Sequence, residues 1–511
     1  MASLADLHPA VAATLAAKRI GQPVFVRCLV YTGRTSTNLS LQLDEIAGRL
    51  RDWFGQSFEC CHTIHTGDEE RACFCLRAGD RALGLVAYSR AAGEGVDLTV
   101  LGTHGAIYHP VELPLSSQAD LPEPAPPAVA RSKLPYGVLL VSGGHTHQED
   151  YGRAFAADPR CRLVAVTDEP SVDARRQELN KRLAVELGIL YLPHLDAALA
   201  RPDVHVVSIC APPDRRCPIA IRCAEAGKHL YLDKSLAPTV EEAFAVAAAV
   251  RKTGVGSQMF SFVTSPWARR AKRLVESGAL GTLRAIHADT FFAKGHAGSM
   301  VQPKIRREEY PPQRHQLVEA KRELDNVGVY PITLIRWLTG RAFASVRALT
   351  ANFFFAEHKR NDVEDFGILA GTLEDSLPVT IAAGRTGWSS HPAGGLNRLV
   401  LVGSERTVAV DANEPHLDVY TDEPPWMPPP AHPEDPMGFW TSTQRESGQR
   451  PKRTWVPLAA PASDVACFLD RLDLDCESEL SATEAARATE VLLAAYKTAA
   501  TESAVSLLLV E

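Results

Sequence analysis

The residues best suited to chemistry directly follow short apolar segments in the middle of the chain. YGVLLV leads into the turn SGGHTH, and CRLVAVTD ends at Asp168. Main-chain N–H groups of a glycine turn before a helix bind phosphate. A carboxylate at the end of the next strand can accept ribose hydroxyl bonds and repel a 2′-phosphate. This spacing predicts a dinucleotide site that favours NAD over NADP, unless Asp168 is an ordinary turn residue.

The glycine turn departs from the usual G-x-G-x-x-G pattern. Ser142 stands at the first glycine, Gly144 keeps the second and His147 replaces the third, so the turn alone is a weak signal. His145 and His147 either bond a phosphate when protonated or lie solvated in the loop. The candidate cofactor-binding residues are Ser142, Gly143, Gly144, His145, Thr146, Asp168, Ala211, Pro212, Pro213, Asp233 and Lys234.

Alternating strands and helices must position these residues. Between Tyr136 and about Val255, four β-branched apolar runs alternate with helical segments at 175–187, 215–226 and 240–252. Runs without polar alternation are typical of strands buried on both faces. The pattern predicts an α/β domain with a doubly wound parallel sheet, a Rossmann-type nucleotide-binding fold.

Strand patterns dominate the second half of the chain. A helix at about 267–277 precedes them, and a final helix from about Ala482 follows the capping-box pattern of Ser481 and Glu484. Strands gathered without intervening helices predict an open, mainly antiparallel sheet, hence a second domain of the α+β class. One apolar face of this sheet needs a cover, and we expect a homo-oligomer, a dimer or tetramer, or the N-terminal module to supply it.

The first 120 residues resemble part of this second domain. VFVRCLVYTG, RACFCLRAG, ALGLVAYSRAAG and VDLTVLGTHGAIYHP follow the order of ASVRALTANF, DFGILAGTL, PVTIAAGRTG and RLVLVGSERTVAVDANEP. We interpret this order as a degenerate internal repeat, the alternative being two unrelated β-rich stretches of similar composition. The expected organisation is an extra α+β module at 1–125, a proline-rich linker at 116–135, the Rossmann domain at 136–255 and the α+β domain at 256–511. The proline-rich passage that ends at Pro436 is expected to be a surface loop.

Composition narrows the possible partners. The chain has 511 residues, with 54 Lys and Arg against 61 Asp and Glu, a net charge of −7. This balance gives no basic field for nucleic acid or anionic lipid, and no apolar run is long enough to span a membrane, so a small molecule is the expected partner. Eleven cysteines without a C-x-x-C pair and no secretory pattern at the start indicate a cytoplasmic protein.

A cluster of cysteine and histidine could suggest zinc. It comprises Cys60, Cys61, His62, His65, Cys73 and Cys75. The usual C-x₂₋₄-C spacing is absent, and RACFCLR alternates as a strand that places Cys73 and Cys75 on one apolar face. We therefore expect buried free cysteines and no metal.

Several later motifs together resemble the Gfo/Idh/MocA oxidoreductase family. AEAGKHLYLDKSLAPTVEEA resembles the family signature AGKHVLxEKPLA, with Asp233-Lys234-Ser235 at its Glu-Lys-Pro. DVHVVSICAPPDRRC resembles its third nucleotide-binding strand, ARRAKRLVESGALGTLRAIHAD the entry to its sheet domain, and LDNVGVYPITLIRWLTG its active-site helix. The motifs run in the correct order from about Tyr136 to the C-terminus.

The resemblance implies catalytic roles for Lys234 and Tyr330. Lys234 would orient a substrate hydroxyl beside the nicotinamide, and the Tyr330 phenol would exchange its proton with the assistance of the lysine. The sequence departs from the family pattern at Asn326 and Thr333, where carboxylates are usual, at Cys217 for a histidine and at Ser235 for a proline. Candidate substrate contacts are Phe260, Trp267, Lys294, His296, Asn326, Thr333 and Trp388.

The expected function is an NAD-dependent oxidoreductase acting on a secondary alcohol of a sugar, cyclitol or glycoside. An alternative within the same resemblance is cleavage of a glycosidic bond by transient oxidation and elimination with a retained cofactor. A third hypothesis is a non-catalytic binding protein that kept the fold. The substitutions at Ser142, His147, Asn326 and Thr333 favour it, and Lys234, Tyr330 and Asp168 oppose it.

Overall fold

A computed structural model describes most of the chain. The described residues are 3–32, 39–65, 71–90, 95–110, 135–293, 302–312, 320–387, 395–412, 416–420, 432–435, 440, 443, 453–457 and 463–507. The expected linker at 116–135 lies outside them except for Pro135, as do the predicted contact residues Lys294, His296 and Trp388.

The N-terminal module is a six-stranded sheet with helices on one face. Its strands, in spatial order β2-β3-β4-β1-β5-β6, are antiparallel except for the parallel pair β1 and β4. Its helices are α1 (Leu4–Ala16) and α2 (Leu39–Phe54). Its strands are β1 (Pro23–Thr32), β2 (Glu59–His65), β3 (Arg71–Ala78), β4 (Ala82–Arg90), β5 (Gly95–Gly102) and β6 (Gly105–His109).

The middle of the chain forms the expected parallel sheet, in the order β12-β11-β10-β7-β8-β9. Its strands are β7 (Tyr136–Val141), β8 (Cys161–Thr167), β9 (Leu190–Leu192), β10 (Val206–Ile209), β11 (His229–Leu232) and β12 (Ser257–Met259). Its helices are α3 (Gln148–Ala157), α4 (Ala174–Leu187), α5 (Leu195–Leu199), α6 (Pro213–Glu225) and α7 (Val240–Thr253). The strand order reverses between β7 and β10, where ligands of such sheets bind.

Local sequence signals set the ends of these helices. Asp173 accepts a bond from the Arg176 N–H at the start of α4, and Gly188 ends that helix with a φ of 66°. Thr239 and Gly254 do the same for α7. The three predicted helices of this domain are confirmed within two residues, and the parallel sheet continues through β12 beyond residue 255.

The remaining chain builds an eight-stranded mixed sheet in the order β14-β15-β16-β17-β13-β18-β19, with β22 beside β15. Its strands are β13 (Leu283–Phe292), β14 (Lys304–Arg306), β15 (Phe343–Asn352), β16 (Phe366–Leu373), β17 (Pro378–Arg385), β18 (Asn397–Gly403), β19 (Thr407–Asp411) and β22 (Val505–Ser506). The strands β20 (His416–Tyr420) and β21 (Arg453–Pro457) form a separate pair. The helices are α8 (Pro266–Glu276), α9 (Glu323–Thr339), α10 (Ala356–Arg360), α11 (Asp464–Asp473) and α12 (Ala482–Thr501), with a short 3₁₀ turn at Glu374–Ser376.

The predicted capping box at the start of α12 does not form. The Ser481 side chain makes no capping bond. The Glu484 carboxylate instead accepts bonds from the Arg336 guanidinium, at 2.8 and 3.2 Å. Because α12 packs along α9, Glu484 forms an ion pair with Arg336 of α9 and does not cap the first turn of its own helix.

The apolar face of the mixed sheet is covered by the N-terminal module. Phe25 of β1 packs on Phe366 of β16 and Phe291 of β13, with ring centroids 5.0 and 6.2 Å apart. Cys73 and Cys75 both lie in the core between the two sheets, as their alternation predicts. Of the covers expected from the sequence, the structure shows the N-terminal module on this face.

The described residues contain no helix long and apolar enough to cross a membrane. They also contain no group of three or more His, Cys, Asp or Glu side chains placed to hold a metal ion.

Candidate active site

The turn after β7 has the backbone shape of an anion cradle. Ser142 and Gly144 adopt left-handed φ values of 64° and 62°. A Cβ at Gly143 would lie 2.4 Å from Leu183 Cδ2, so the turn lies close against α4. The helix α3 begins at Gln148, immediately after the turn, and its N-terminal dipole favours an anion here.

Unsatisfied and cationic groups line the cradle. Within the described chain, Ser142 Oγ and His145 Nδ1 are buried with no hydrogen-bond partner. Arg176 donates to the carbonyl oxygens of Gly143 and Gly144, the latter at 2.9 Å. Buried polar atoms without partners are rare in folded proteins and commonly mark a ligand position. The cradle therefore fits a pyrophosphate.

Asp168 stands at the end of β8, as predicted, but both carboxylate oxygens are held by the protein. Arg215 Nη1 donates to Oδ1 at 2.8 Å, and Asn180 Nδ2 donates to Oδ2 at 3.0 Å. The side chain is fully buried and lies outside the pocket lining. An arginine in the position of Arg215, beside the carboxylate at the end of the second strand, can also bind a 2′-phosphate.

Asp233, at the end of β11, contacts His147 of the cradle and directly precedes Lys234, the catalytic candidate. It accepts bonds from the Tyr151 hydroxyl at 3.0 Å and from Arg216 at 3.3 Å, and it pairs with His147 Nδ1 at 2.9 Å. Burial alone would raise the pKa of Asp233, but His147, Arg216 and Lys234 more than offset it and hold that pKa well below its usual range. An ionised Asp233 therefore fixes the backbone from which Lys234 projects.

Lys234 is buried where this sheet meets α9. Its Nζ donates to the main-chain oxygen of Asn326 at 2.7 Å and to Oδ1 of the same residue. Burial lowers the pKa of Lys234 to about 7, although the Asp233 carboxylate acts in the opposite direction. An amine with a pKa near neutrality can both accept and release a proton under ordinary conditions.

A carboxylate that the sequence alignment missed lines the pocket and contacts Ser235, the residue after Lys234. Aligning the helix on Gly328 put Asn326 at the family's acidic position and left no carboxylate there. Asp325, one residue earlier in the first turn of α9, lines the pocket and accepts a bond from Ser235 Oγ. The alignment was therefore wrong about the missing charge, because the first helical turn presents both side chains to the same cleft.

Tyr330 lies in an aromatic core and not in the pocket lining. Its ring stacks on Phe262 at 4.1 Å, and its centroid is 5.2 Å from Lys234 Nζ. Burial raises the pKa of Tyr330 well above its ordinary value. Its nearest link to the chemistry is therefore the contact between its ring and the lysine, a packing and electrostatic contact.

The structure describes three further predicted substrate contacts, Thr333, Phe260 and Trp267, and places none of them in the pocket lining. The Thr333 hydroxyl bonds to the carbonyl oxygens of Val329 and Tyr330, both at 2.9 Å, so it serves its own helix. Phe260 and Trp267 pack against neighbouring aromatic rings. Of the described predicted contacts, Asn326 alone lines the pocket.

The pocket lies between the parallel sheet and α9. Among the predicted cofactor residues, His145, Thr146, Pro212, Pro213, Asp233 and Lys234 line it, whereas Ala211 is buried below and accepts a bond from Arg216. Sequence reasoning missed several lining residues, which include Arg176, Arg216, Lys321, Asp325, Trp440 and Tyr496. The basic pair Lys321-Arg322 directly before α9 is the one sequence signal that could have found part of this set.

Trp440 belongs to the chain that follows the second proline-rich passage. Its ring lies 4.3 Å from Lys321 Nζ and 5.6 Å from the His147 ring. The main-chain N–H of Trp440 donates to Asp435, and the main-chain oxygen of the neighbouring Glu434 accepts a bond from Arg175. The passage expected to be a surface loop thus leads into residues that contact the cradle.

This fold and pocket define a nucleotide-binding α/β enzyme with a second sheet domain. Residues 137–260 match the model of the oxidoreductase family with an NAD-binding Rossmann fold, and residues 268–409 match the Gfo/Idh/MocA C-terminal domain. The chain belongs to the Gfo/Idh/MocA family of NAD-binding oxidoreductases.

Individual relatives agree with this assignment. Levoglucosan dehydrogenase of Pseudarthrobacter phenanthrenivorans is 42% identical over 154 residues, which is 29% of this chain and 38% of that protein. The chain therefore spans less than half the length of this curated relative. GenD2 from gentamicin A biosynthesis, solved in complex with NAD, has a TM-score of 0.55 at 22% identity. Scyllo-inositol dehydrogenase of Lactobacillus casei, solved with NAD(H) and scyllo-inositol, has a TM-score of 0.53 at 16% identity.

The two structural matches share one feature. The alignment with GenD2 includes 75% of this chain and 99% of the GenD2 chain. The alignment with the inositol dehydrogenase includes 73% of this chain and 99% of that enzyme's chain. About a quarter of this chain is therefore additional to an almost complete structure of this type.

Proposed function

We propose that this chain is an NAD-dependent oxidoreductase that oxidises or reduces a secondary alcohol of a sugar, cyclitol or glycoside. The observation that carries the proposal is Lys234, buried in the cleft between the two domains with a pKa of about 7. An amine that is buried at the carboxyl edge of a nucleotide-binding sheet and has a pKa near neutrality is suited to accept and return the proton of an alcohol.

The cradle after β7 and the edge of β10 would hold the dinucleotide. His145, Thr146 and Arg176, which line the pocket, would contact the pyrophosphate, while Pro212 and Pro213 would bound the crevice. Bound NAD supplies the acceptor or donor of the hydride.

The chain's own residues would handle the substrate and its proton. In oxidation, neutral Lys234 Nζ accepts the proton of the substrate hydroxyl, and Asn326 Oδ1 stays within reach to hold the resulting ammonium. Asp325 and Lys321 offer an acceptor and donors for neighbouring hydroxyl groups, and the Trp440 ring offers a face for sugar C–H groups. Tyr330 positions the lysine through its ring.

The relatives support the same substrate class. One is a levoglucosan dehydrogenase by name, and a structural neighbour was solved with scyllo-inositol. Both compounds present several secondary hydroxyl groups on a ring. A pocket with alternating charged and aromatic lining suits such polyols better than an apolar alcohol.

The test is a screen of ring polyols with NAD, followed at the absorbance of NADH. The expected result is turnover of at least one sugar or cyclitol by the wild type. Lys234→Ala should keep NADH binding and lose turnover, and unchanged turnover would refute its role. Failure of the wild type to bind either NAD(H) or NADP(H) would refute the whole proposal.

We also infer a cytoplasmic location. Cys73, Cys75 and Cys223 are thiols buried in apolar cores. Buried thiols that form no disulfide are typical of a reducing compartment.

A further inference from the structure

The N-terminal module and the second domain have the same topology. In each, the first strand is central, lies parallel to the fourth and antiparallel to the fifth, and the order is second-third-fourth-first-fifth-sixth. The corresponding strands are β1 to β6 in one and β13 with β15 to β19 in the other. Each also has one helix before the first strand, and a long helix, α2 or α9, between the first and second. The repeat predicted from the sequence is therefore present in three dimensions.

One strand of the sequence-based repeat was matched wrongly. VFVRCLVYTG was paired with ASVRALTANF, which is β15, whereas the topology makes β1 equivalent to β13. The strand of the module that is equivalent to β15 is β2. Short alternating strands resemble one another in sequence, and only their pairing in the sheet distinguishes them.

A shared irregularity aligns the two copies residue by residue. The pairing of the first and fifth strands shifts between Pro23 and Phe25 in the module and between Leu283 and Ala285 in the second domain. Leu29 is therefore equivalent to Asp289. These two residues pair with Asp97 and Arg398 on the fifth strands, so Asp97 and Arg398 are equivalent as well.

The two sheets pack through equivalent faces. The interface core contains matching residues from both copies, which are Phe25, Cys73, Cys75, Ala87 and Leu101 and their equivalents Ala285, Ile368, Ala370, Ala382 and Val402. Such an arrangement has the form of a two-fold symmetric dimer, in which the same surface is used on both sides. Equivalent residues that touch each other must lie at its axis.

Asp97 and Arg398 are such a pair. Arg398 Nη1 lies 2.5 Å from Asp97 Oδ2, and both side chains are buried, with 9% and 1% exposed. If a second copy of the chain used the same face of the second domain, Arg398 would meet its own counterpart. Two buried like charges repel strongly where water is excluded. Asp97 in the module converts that repulsion into an ion pair.

A second charge difference acts in the same direction. Arg27 donates to Asp289 Oδ1 at 2.6 Å and to Thr380 Oγ1 at 2.7 Å. The residue equivalent to Arg27 in the second domain is His287. A second copy would therefore bring a histidine where the module brings the arginine that bonds Asp289 and Thr380.

We propose that residues 3–110 are a built-in second subunit: a copy of the sheet domain that occupies the dimerisation face of the chain and, through Asp97 and Arg27, excludes a second copy. On this proposal the chain is a monomer, because the module already covers the face on which the expected homo-oligomer would form. This inference is independent of the proposed function.

Charge reversal in the full chain tests the proposal. Asp97→Arg and Arg398→Asp each place two like charges at the axis, and each should lower the melting temperature by about 5 °C or more. The double variant restores an ion pair of opposite sense and should recover at least half of that loss. Arg162→Asp, which reverses an exposed pair with Asp203, is the matched control and should stay within about 1 °C.

The mass in solution supplies the second readout. Light scattering on the wild type should give the mass of one chain at all concentrations tested. A wild-type mass of two or more chains would overturn the proposal. A double variant no more stable than the worse single variant would also overturn it, because the two charges would then not act as a pair.

Discussion

At the scale of single residues, the chemistry depends on how far burial shifts one amine. Lys234 has lost most of its hydration, and its partners are one amide oxygen and one main-chain oxygen of Asn326. Neither partner is charged, so neither compensates for the desolvation of the ammonium as a carboxylate would. The pKa of about 7 follows from this burial, which the nearby Asp233 carboxylate offsets only in part.

The lysine should set the pH dependence of turnover. Below pH 7 the Lys234 amine carries a proton and cannot accept another, so kcat/KM for oxidation should fall about tenfold per pH unit on the acid side and level off above pH 7. The reverse reaction needs the ammonium and should decline above pH 7. A profile of kcat/KM from pH 5 to 9 in both directions measures this, and a flat profile would contradict it.

Arginine distinguishes a charge from a proton carrier at this position. Lys234→Arg keeps the positive charge but cannot lose its proton. We expect turnover to fall at least a hundredfold with the dissociation constant of NADH within about threefold of the wild type. Near-normal turnover of the arginine variant would mean that position 234 acts only through its charge.

Asp168 should control the choice of dinucleotide. Its carboxylate opposes a 2′-phosphate, while Arg215, 2.8 Å away, would attract one. Asp168→Asn should therefore shift the NADP-to-NAD affinity ratio upward by roughly tenfold, about 1.4 kcal/mol. Calorimetric titration of both nucleotides checks the shift, and an unchanged ratio would place the ribose elsewhere.

At the scale of elements, the turn between β7 and α3 carries the nucleotide. Gly144→Ala adds a Cβ 2.9 Å from the main-chain oxygen of Leu179 at a φ of 62°. We expect NADH binding to weaken by at least about 1–2 kcal/mol.

The matched control is Gly188→Ala, at a φ of 66° with no atom within 4 Å of the new Cβ. It carries the same backbone cost at the end of α4, away from the pocket. It should lower the melting temperature and leave the dissociation constant of NADH unchanged. Equal losses of affinity in both variants would show that strain, not the cradle, is responsible.

Sequence patterns predicted the elements better than the contacts. The βα units of the parallel sheet are marked by period, caps and glycine stops, all of which are local signals. The position of Asp325 beside Ser235, and that of Trp440 beside His147, depend on chain segments far apart in sequence. No local sequence pattern indicates such contacts. Aligning the helix on Gly328 placed the expected carboxylate at position 326, whereas the carboxylate that lines the pocket is Asp325.

At the scale of the whole molecule, one chain contains two copies of the sheet domain and one nucleotide-binding domain. The sequence indicated the repeat but could not say that the copies pack against each other, since a buried face looks the same whichever partner covers it. The charges at Arg27, Asp97, Asp289 and Arg398 supply that information only once the strand register is known.

The central claim, that this pocket binds NAD for alcohol oxidation, is tested most directly by nucleotide occupancy. Native mass spectrometry of the gently purified chain, before and after addition of NAD(H) and NADP(H), would count bound nucleotides. The account predicts one nucleotide per chain, with NAD(H) bound in preference to NADP(H). A chain that stays free of either nucleotide at millimolar concentration would contradict it.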